Sequence, residues 1–342
     1  MESSKNRQIR YPNLNAVDLG KFLMAFLVVA GHTGPLTHCK SQPVLVLYQI
    51  ILSYAVPFFF LSTGYLLGQK LNRLPEYGDV TPLNGYIQKT VHMYLVCSIL
   101  YLPMAVSFFM KSNYPLWEMF TEYFKGLVFW GEHYNSWQLW YLLSSIYALL
   151  FIRFLIKHKV SIEGIAVLAL LVIPLMVCVD ALAEYEYGLP RYAEVVRSLL
   201  IQTFRNSRIL NGFVLLPFGL FLAKHTLSGK MSAFLFLAGA VLIFAPNEVI
   251  GLGGSYLSAV GLFGMALNVN LPDSPVYKIL RTMSTDIFVI HMWMWTIYYT
   301  LVYHEKTYGM DCFLVTLVSS ILYSWGKQRM KAKKNAGTAA AV

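Results

Sequence analysis

The sequence predicts an all-α, polytopic membrane bundle of about ten transmembrane helices with both termini in the cytoplasm. Of its 342 residues, 57% are hydrophobic and only 13% are charged, and the mean hydropathy is +0.53. This composition is typical of an integral membrane protein rather than of a soluble domain. Apolar runs long enough to cross a hydrocarbon core of about 30 Å recur along the chain. Lys and Arg are concentrated in alternate connections between those runs.

Ten apolar runs are predicted to span the membrane, and the sixth to eighth are the weakest because Gly, Pro and Asn interrupt them. The predicted spans cover residues 18–36, 44–67, 86–109, 137–156, 160–180, 209–223, 231–246, 254–271, 284–303 and 311–326.

The distribution of Lys and Arg sets the predicted orientation and divides the chain into three parts. Residues 1–17 form a polar, basic cytoplasmic segment, and residues 18–326 form the membrane domain. The basic, Ala-rich tail 327–342 is also placed in the cytoplasm and is expected to be disordered. The first 16 residues show no pattern of a cleavable signal, so the first helix is expected to remain.

Two outer segments are longer than simple connections. Residues 111–136 combine Trp117, Phe120 and other aromatics with Glu and Lys, which is typical of a helix at the membrane interface. Residues 180–208 mix Glu with Arg and are expected to cover the outer mouth of a cavity. A solvated amphipathic cover explains both segments as well.

The net charge of +10 follows from the membrane topology, so no nucleic-acid partner is expected. The four cysteines have no metal-ligand spacing, and no metal site is predicted. Two alternatives remain for the cysteines: one disulfide between cysteines at the outer ends of the spans, or free cysteines that pack in the core.

The first apolar helix carries Asp18, Lys21 and His32 at membrane depth. Burying a charge there costs from about 3 kcal/mol upward unless the charge is paired or hydrated. Lys21 and His32 are eleven residues apart, so they share one helix face about 16 Å apart along the axis. Asp18 lies one turn before Lys21, close enough to pair with it. This stripe is predicted to line a polar cavity.

The first helix resembles the opening signature of the acyltransferase 3 family, in which a basic residue precedes a histidine by ten intervening positions. Lys21 and His32 occupy these positions, and Lys89, His92 and His291 lie in later matching segments. The resemblance covers essentially the whole membrane part and is strongest to compact members, including small O-acetyltransferases and the membrane half of the vancomycin-resistance serine racemase. The matching segments read "AVDLGKFLMAFLVVAGHTGPL", "AVPFFFLSTGYLLGQK", "YIQKTVHMYL", "NSWQLWYLLSSIYALL" and "STDIFVIHMWMW".

The resemblance implies a cell-membrane enzyme that transfers an acyl group, usually acetyl, from cytoplasmic acyl-CoA to a hydroxyl of a carbohydrate or cell-envelope acceptor. Acyl-CoA is then a co-substrate, and no permanently bound cofactor is expected. His32 suits the general base because its pKa lies near the operating pH. Lys21, aided by Lys89 and His92, is expected to hold the donor phosphates, and Asp18 is expected to orient Lys21.

Two residues depart from the family pattern. Lys21 stands where Arg is more usual, and His92 stands where Arg is frequent. An ammonium group is a point charge and does not make the bidentate phosphate contact of a guanidinium. The donor site is therefore less well defined by the sequence than the fold.

Other roles remain open for several of these residues. His32 also fits a core histidine bonded to a neighbouring helix, and Lys21 also fits a structural ion pair or snorkelling to the headgroups. His291 either bridges helices or helps to bind the acceptor or the oxyanion. Gln138 and Trp140 either bind a sugar or serve as interface residues. Five residues of the second predicted span are expected to be mainly structural: Pro57, Ser62, Thr63, Gly64 and Tyr65.

Two other functional classes remain. A polar stripe through the first helix suits the permeation path of a small-molecule transporter or exporter, and the breaks near residues 246–256 agree with the discontinuous helices of transporters. A non-catalytic scaffold explains the fold but gives the three polar residues of the first helix no role.

Overall fold

The computed structural model describes residues 14–72, 74, 78–112, 114–185, 188–204 and 207–340, and within them it contains helices and turns but no strand. The helices are α1 (Asn15–Thr33), α2 (Gln42–Ser53), α3 (Ala55–Leu71), α4 (Thr81–Lys111), α5 (Leu116–Lys125), α6 (Trp140–Lys157), α7 (Ile162–Glu184), α8 (Arg191–Phe204), α9 (Asn211–Lys224), α10 (Gly229–Leu242), α11 (Glu248–Asn268), α12 (Pro275–Val302) and α13 (Met310–Ala340). A π-helical turn spans Gly126–Trp130, and two 3₁₀ turns span Trp137–Leu139 and Ser207–Leu210.

The predicted all-α membrane architecture is confirmed, and every predicted span has a helical counterpart in chain order. Among the described residues, however, seven rather than ten helical segments are long and apolar enough to cross a membrane. Helix α10 has only 14 residues, and α12 carries charged side chains. The seven segments are Asn15–Thr33, Gln42–Leu71, Thr81–Lys111, Trp137–Lys157, Ile162–Glu184, Ser207–Lys224 and Glu248–Asn268.

The predicted second span is interrupted at Tyr54, which separates α2 from α3. Pro57 has no N–H group to donate to the carbonyl oxygen of Ser53, so the helical ladder lacks one bond at this point. The sequence analysis assigns Pro57 a structural role, and its position next to the break agrees with that assignment.

The C-terminal segment differs from its prediction. Helix α13 continues to Ala340, so residues 327–340 are helical rather than disordered, and residues 341–342 lie outside the described part. Lys and Ala are among the best helix formers, which explains the continuation. Lys327 Nζ lies 2.5 Å from Asp286 Oδ1, and Ser324 donates to Asp286 Oδ2 at 2.7 Å. These contacts fasten the start of the segment to α12.

The two outer segments form helical covers. Helix α5 has no buried residue and exposes Trp117, Phe120 and Phe124, as expected for an interfacial helix. In the second segment, Asp180 accepts hydrogen bonds from the backbone and side chain of Ser207, at 2.8 Å and 2.5 Å. Arg205, one of the arginines of the segment 180–208, lies outside the described residues.

Small residues allow α3 and α9 to approach closely. A Cβ atom on Gly64 would overlap the carbonyl oxygen of Leu216, and one on Gly219 would overlap that of Leu61. Such small-residue contacts are the usual means of packing membrane helices, because lipid provides no hydrophobic driving force between them. The structural role predicted for Gly64 therefore has a direct cause.

Replacing Gly64 with Ala is expected to destabilise the α3–α9 contact by about 1–3 kcal/mol, the usual cost of overpacking a well-packed core. The measurement is the thermal unfolding midpoint of the detergent-purified protein. Gly253→Ala in α11 is the matched control, because its Cβ meets open space. An equal midpoint for the two variants would contradict the close α3–α9 packing.

Candidate functional site

The polar residues of α1 meet those of α12 at two separate levels, because the two helices run parallel. Asp18 meets Arg281 near the start of both helices, and His32 meets His291 further along. At 1.5 Å per residue, Lys21 and His32 are separated along α1 by about 16 Å. Two polar sites therefore share one pair of helices, as the stripe on α1 predicts.

At the first level, the carboxylate of Asp18 binds a guanidinium rather than an ammonium. Arg281 Nε donates to Asp18 Oδ1 at 2.8 Å, and a terminal nitrogen of Arg281 donates to Oδ2 at 2.5 Å. The sequence analysis predicts that Asp18 pairs with Lys21, and the structure corrects this: the bonds of Asp18 go to Arg281. The planar fork of Arg281 matches a carboxylate with two parallel bonds, which a lysine does not offer. Asp18 is buried, so this pairing offsets its desolvation.

A cavity of about 290 Å³ opens beside this ion pair. Lys21, Lys89 and Arg281 line it together, so the structure brings together the two lysines that the sequence predicts to act jointly. His92 is exposed on α4 and does not line the cavity, which corrects its predicted placement with the lysines. The remaining polar lining consists of hydroxyl groups: Ser62, Thr63, Tyr86, Thr90, Tyr141, Ser145, Ser284 and Thr285.

Arg281 is a site residue that the sequence analysis used only for topology. The sequence does contain a signal for this residue, which is a similar spacing of a cation and a histidine on two helices. Arg281 precedes His291 on α12 by ten residues, and Lys21 precedes His32 on α1 by eleven. Two parallel helices thus each carry a cation and, roughly three turns later, an imidazole.

At the second level, the rings of His32 and His291 stack with centroids 5.3 Å apart and planes 27° apart. His291 is buried, and its Nδ1 lies 2.8 Å from the carbonyl oxygen of Ile287 and 3.1 Å from that of Phe288. Carbonyl oxygens only accept, so this Nδ1 carries the proton. The Nε2 atom of His291 is then an acceptor, and it is buried without a hydrogen-bond partner in the described part of the chain.

Further unpartnered polar atoms lie beside the imidazoles. Trp137 lies 5.9 Å from His32 between ring centroids. The next residue, Gln138, is buried beside the Tyr101 hydroxyl, and neither of its amide atoms makes a hydrogen bond of standard geometry within the described chain. Asn135 donates to Thr296 at 3.0 Å and to Tyr299 at 2.5 Å, while its Oδ1 accepts nothing from the described residues. Unbonded buried polar atoms are costly. Their concentration here suits a site that hydrogen-bonds a substrate or water, and we call the space bounded by His32, His291, Trp137 and Gln138 the imidazole chamber.

Trp140 does not join this chamber. Its ring packs 6.1 Å from Phe60 between centroids, and the guanidinium of Arg208 lies 5.5 Å from its centre. Gln138 lies in a 3₁₀ turn, where each residue rotates the side chain by about 120°, so Trp140 points to another side than Gln138. Its predicted grouping with Gln138 as an acceptor site therefore differs from the structure.

Two cations near the imidazole level were also missed by the sequence analysis, which assigned them to connections. Arg208 forms an ion pair with Glu132, and Lys306 lies 3.8 Å from the centre of the Trp137 ring. Both positive charges are close enough to act on His32. Lys306 lies in the connection after α12, where burial lowers its pKa to about 8.

A second cavity, of about 420 Å³, lies beneath α5 and shares Trp137 with the imidazole chamber. Its lining combines carboxylates with aromatic rings, and burial lowers the pKa of His133 in its wall to about 4. That imidazole is therefore neutral near pH 7. The lining residues include Tyr114, Glu118, Glu122, Trp130, Glu132 and Tyr134.

Similarity to curated proteins is limited to part of the chain. Two amino-acid racemases of Enterococcus faecalis are 31% identical over 145 residues and 30% identical over 143 residues, each covering 42% of this chain. A serine/alanine racemase of Enterococcus gallinarum is 29% identical over 90 residues, or 26% of this chain. The matched segments span 19%, 20% and 13% of these relatives, so the chain spans about a fifth or less of each.

No solved structure matches the chain significantly. A family model described as an acyltransferase domain matches residues 14–326, which include both polar levels of α1 and α12. Because that match covers most of the sequence, the chain belongs to the acyltransferase 3 family of membrane proteins.

Proposed function

We propose that this membrane acyltransferase moves an acyl group, most simply acetyl, from cytoplasmic acyl-CoA to a hydroxyl of a carbohydrate or cell-envelope acceptor. The supporting observation is the arrangement of α1 and α12, which present cations at one level and paired imidazoles at the other. Phosphates and a thioester are the two ends of the same donor molecule. The plasma membrane is its proposed location.

The cationic cavity suits the phosphates of the donor. Lys21 and Lys89 supply point charges, and hydroxyl groups around them add hydrogen-bond partners. Arg281 adds the guanidinium that the first motif lacks, and Asp18 holds it by two hydrogen bonds. A positioned guanidinium binds phosphate with defined geometry, which compensates for Lys21 in place of Arg. Asp18 thus acts by positioning Arg281.

The imidazole chamber suits the transfer step. His32 removes the proton of the acceptor hydroxyl as its oxygen attacks the thioester carbonyl. The tetrahedral intermediate then breaks its C–S bond, and the protonated His32 returns the proton to the departing thiolate. The unbonded amide N–H of Gln138 is available to the developing oxyanion, and the stacked His291 positions His32.

Binding of acetyl-CoA to the detergent-purified protein tests the donor site. Lys21→Ala and Lys89→Ala are each expected to weaken binding about tenfold, because a charge-assisted contact contributes roughly 1.5 kcal/mol. His92→Ala is the matched control on α4 and is expected to bind like the wild type. Equal loss in the control would contradict the site. Absence of wild-type binding, with thermal stabilisation by free amino acids or sugars, would favour a transporter.

The transfer step is tested by His32→Ala, assayed as CoA thiol released from acetyl-CoA in the presence of acceptor. Loss of a general base is expected to lower kcat by about 10²–10⁴-fold, while acetyl-CoA binding and the unfolding midpoint are retained. His158→Ala, an exposed histidine on the turn after α6, is the control. Full activity of the His32 variant would exclude this mechanism.

Gln138→Leu separates function from stability. Removing an unbonded buried amide is expected to leave the unfolding midpoint unchanged or raised, while kcat falls because the oxyanion loses a donor. Asn211→Leu is the contrasting variant, because its amide donates to the carbonyl oxygen of Arg208 and accepts from Tyr256. That variant is expected to be less stable. A stability loss in Gln138→Leu with normal kcat would assign Gln138 a purely structural role.

A further inference from the structure

The connection between α12 and α13 lies directly over the imidazole chamber. The backbone N–H of Gly309 donates to the carbonyl oxygen of Thr33, the residue after His32, at 3.0 Å. Trp295 Nε1 donates to the carbonyl oxygen of Thr307 at 3.0 Å. These two bonds tie the connection to α1 and to α12. Lys306 is therefore held at a fixed place above the histidines.

Aromatic rings surround the Lys306 ammonium group. Its Nζ lies 3.8 Å from the centre of the Trp137 ring, 5.4 Å from that of Trp295 and 5.8 Å from that of Tyr134. Ring faces attract the cation and hold the side chain, but they accept no ordinary hydrogen bond from its three N–H donors. Within the described residues no carboxylate lies within ion-pair distance of Lys306.

The other outer cation near His32 is already engaged. Arg208 is paired with Glu132 and lies over Trp140, so its charge is balanced by a protein carboxylate. Lys306 instead carries a desolvated charge beside a chamber with unbonded polar atoms. An ammonium group that is held in place and unbalanced by protein is suited to an anionic ligand.

We propose that Lys306 binds an anionic group, a carboxylate or a phosphate, that the acceptor carries near its reacting hydroxyl. This inference rests on the proposed acyl transfer, since it identifies the chemical class of the acceptor in the same site. Trp137, the ring shared by Lys306 and His32, lies between the anion and the general base. A hydroxyl next to that anion reaches His32 past the edge of this ring. Neutral acceptors lack this contact.

Burial lowers the pKa of Lys306 to about 8, so the contact is expected to weaken as the pH rises through that value. The titratable groups nearby are Tyr134, whose ring faces the ammonium, the stacked His32 and His291, and the Arg208–Glu132 pair. Tyr299 and Tyr308 contact Trp295, one of the rings around the ammonium, and His304 and Glu305 are neighbours of Lys306 in the chain. Tyr134 stays neutral over this range because burial raises its pKa to about 12. An arginine at position 306 keeps its charge over this pH range. Any pH dependence that remains in Lys306→Arg therefore comes from other groups, such as the histidines.

Chemical labelling tests binding without requiring turnover. At pH 8, trinitrobenzenesulfonate is expected to modify Lys306, because burial lowers the pKa of its amine. The exposed Lys111 serves as the reference whose labelling the probes should not change. Modification is followed by peptide mass spectrometry of the full chain in detergent. Glucuronate and glycerol 3-phosphate are expected to slow the labelling of Lys306, and the two probes separate carboxylate from phosphate. The neutral probes glucose and glycerol should not slow the labelling of Lys306. Equal protection by charged and neutral probes, or no protection, would overturn the proposal.

Transfer from acetyl-CoA to the same four probes provides the kinetic test. Lys306→Met is expected to raise the KM of the charged acceptors about tenfold and to leave the KM of acetyl-CoA unchanged. Lys306→Arg should keep the low KM of the charged acceptors, and this KM should no longer rise above pH 8. Lys111→Met should match the wild type. A kcat loss shared by charged and neutral acceptors would contradict anion binding. If the wild-type protein does not bind acetyl-CoA, the proposed acyl transfer is contradicted. The labelling result then still decides whether Lys306 binds an anion.

Discussion

The parallel pairing of α1 with α12 is the constraint on which both candidate sites depend. Asp18 and Arg281 fix the axial register at one end, with hydrogen bonds of 2.8 Å and 2.5 Å. The helices then cross an apolar core formed by Ala25, Val29 and Ile287 before the imidazoles stack. A shift of one residue would move each side chain by about 100° around its axis and separate the rings. The ion pair thus determines the geometry of the distant histidines.

The division of charge between the two levels follows from the same pairing. Cations and hydroxyl groups line the cavity beside Lys21 and Arg281. The histidine level lies among tryptophan rings and holds unbonded amide atoms. Electrostatic interactions are stronger where such rings exclude water. One pair of helices thus presents a cationic cavity at one level and imidazoles among aromatic rings at the other.

The sequence predicts the all-α membrane class and the stripe of α1, because hydrophobic runs and helical spacing are local properties. It also places Lys21 with Lys89. It does not predict that Arg281 binds Asp18, that His92 faces outward or that Trp140 leaves the chamber, since these depend on which helices become neighbours. The sequence does not predict the position of Lys306 for the same reason. Only the fold brings the connection that carries Lys306 next to the ring of Trp137. The helix count differs in three spans, because α10 is short and because α12 and α13 mix polar and charged side chains with their apolar residues.

The two walls of the outer mouth differ in how firmly they are attached. The connection above the histidines is bonded to α1 and α12, whereas α5 buries none of its residues and joins the next turn through the π-helical segment Gly126–Trp130. Segments with little buried surface open at low free-energy cost. The α5 side of this mouth is therefore expected to open at a lower free-energy cost than the connection that carries Lys306, which stays bonded to both helices.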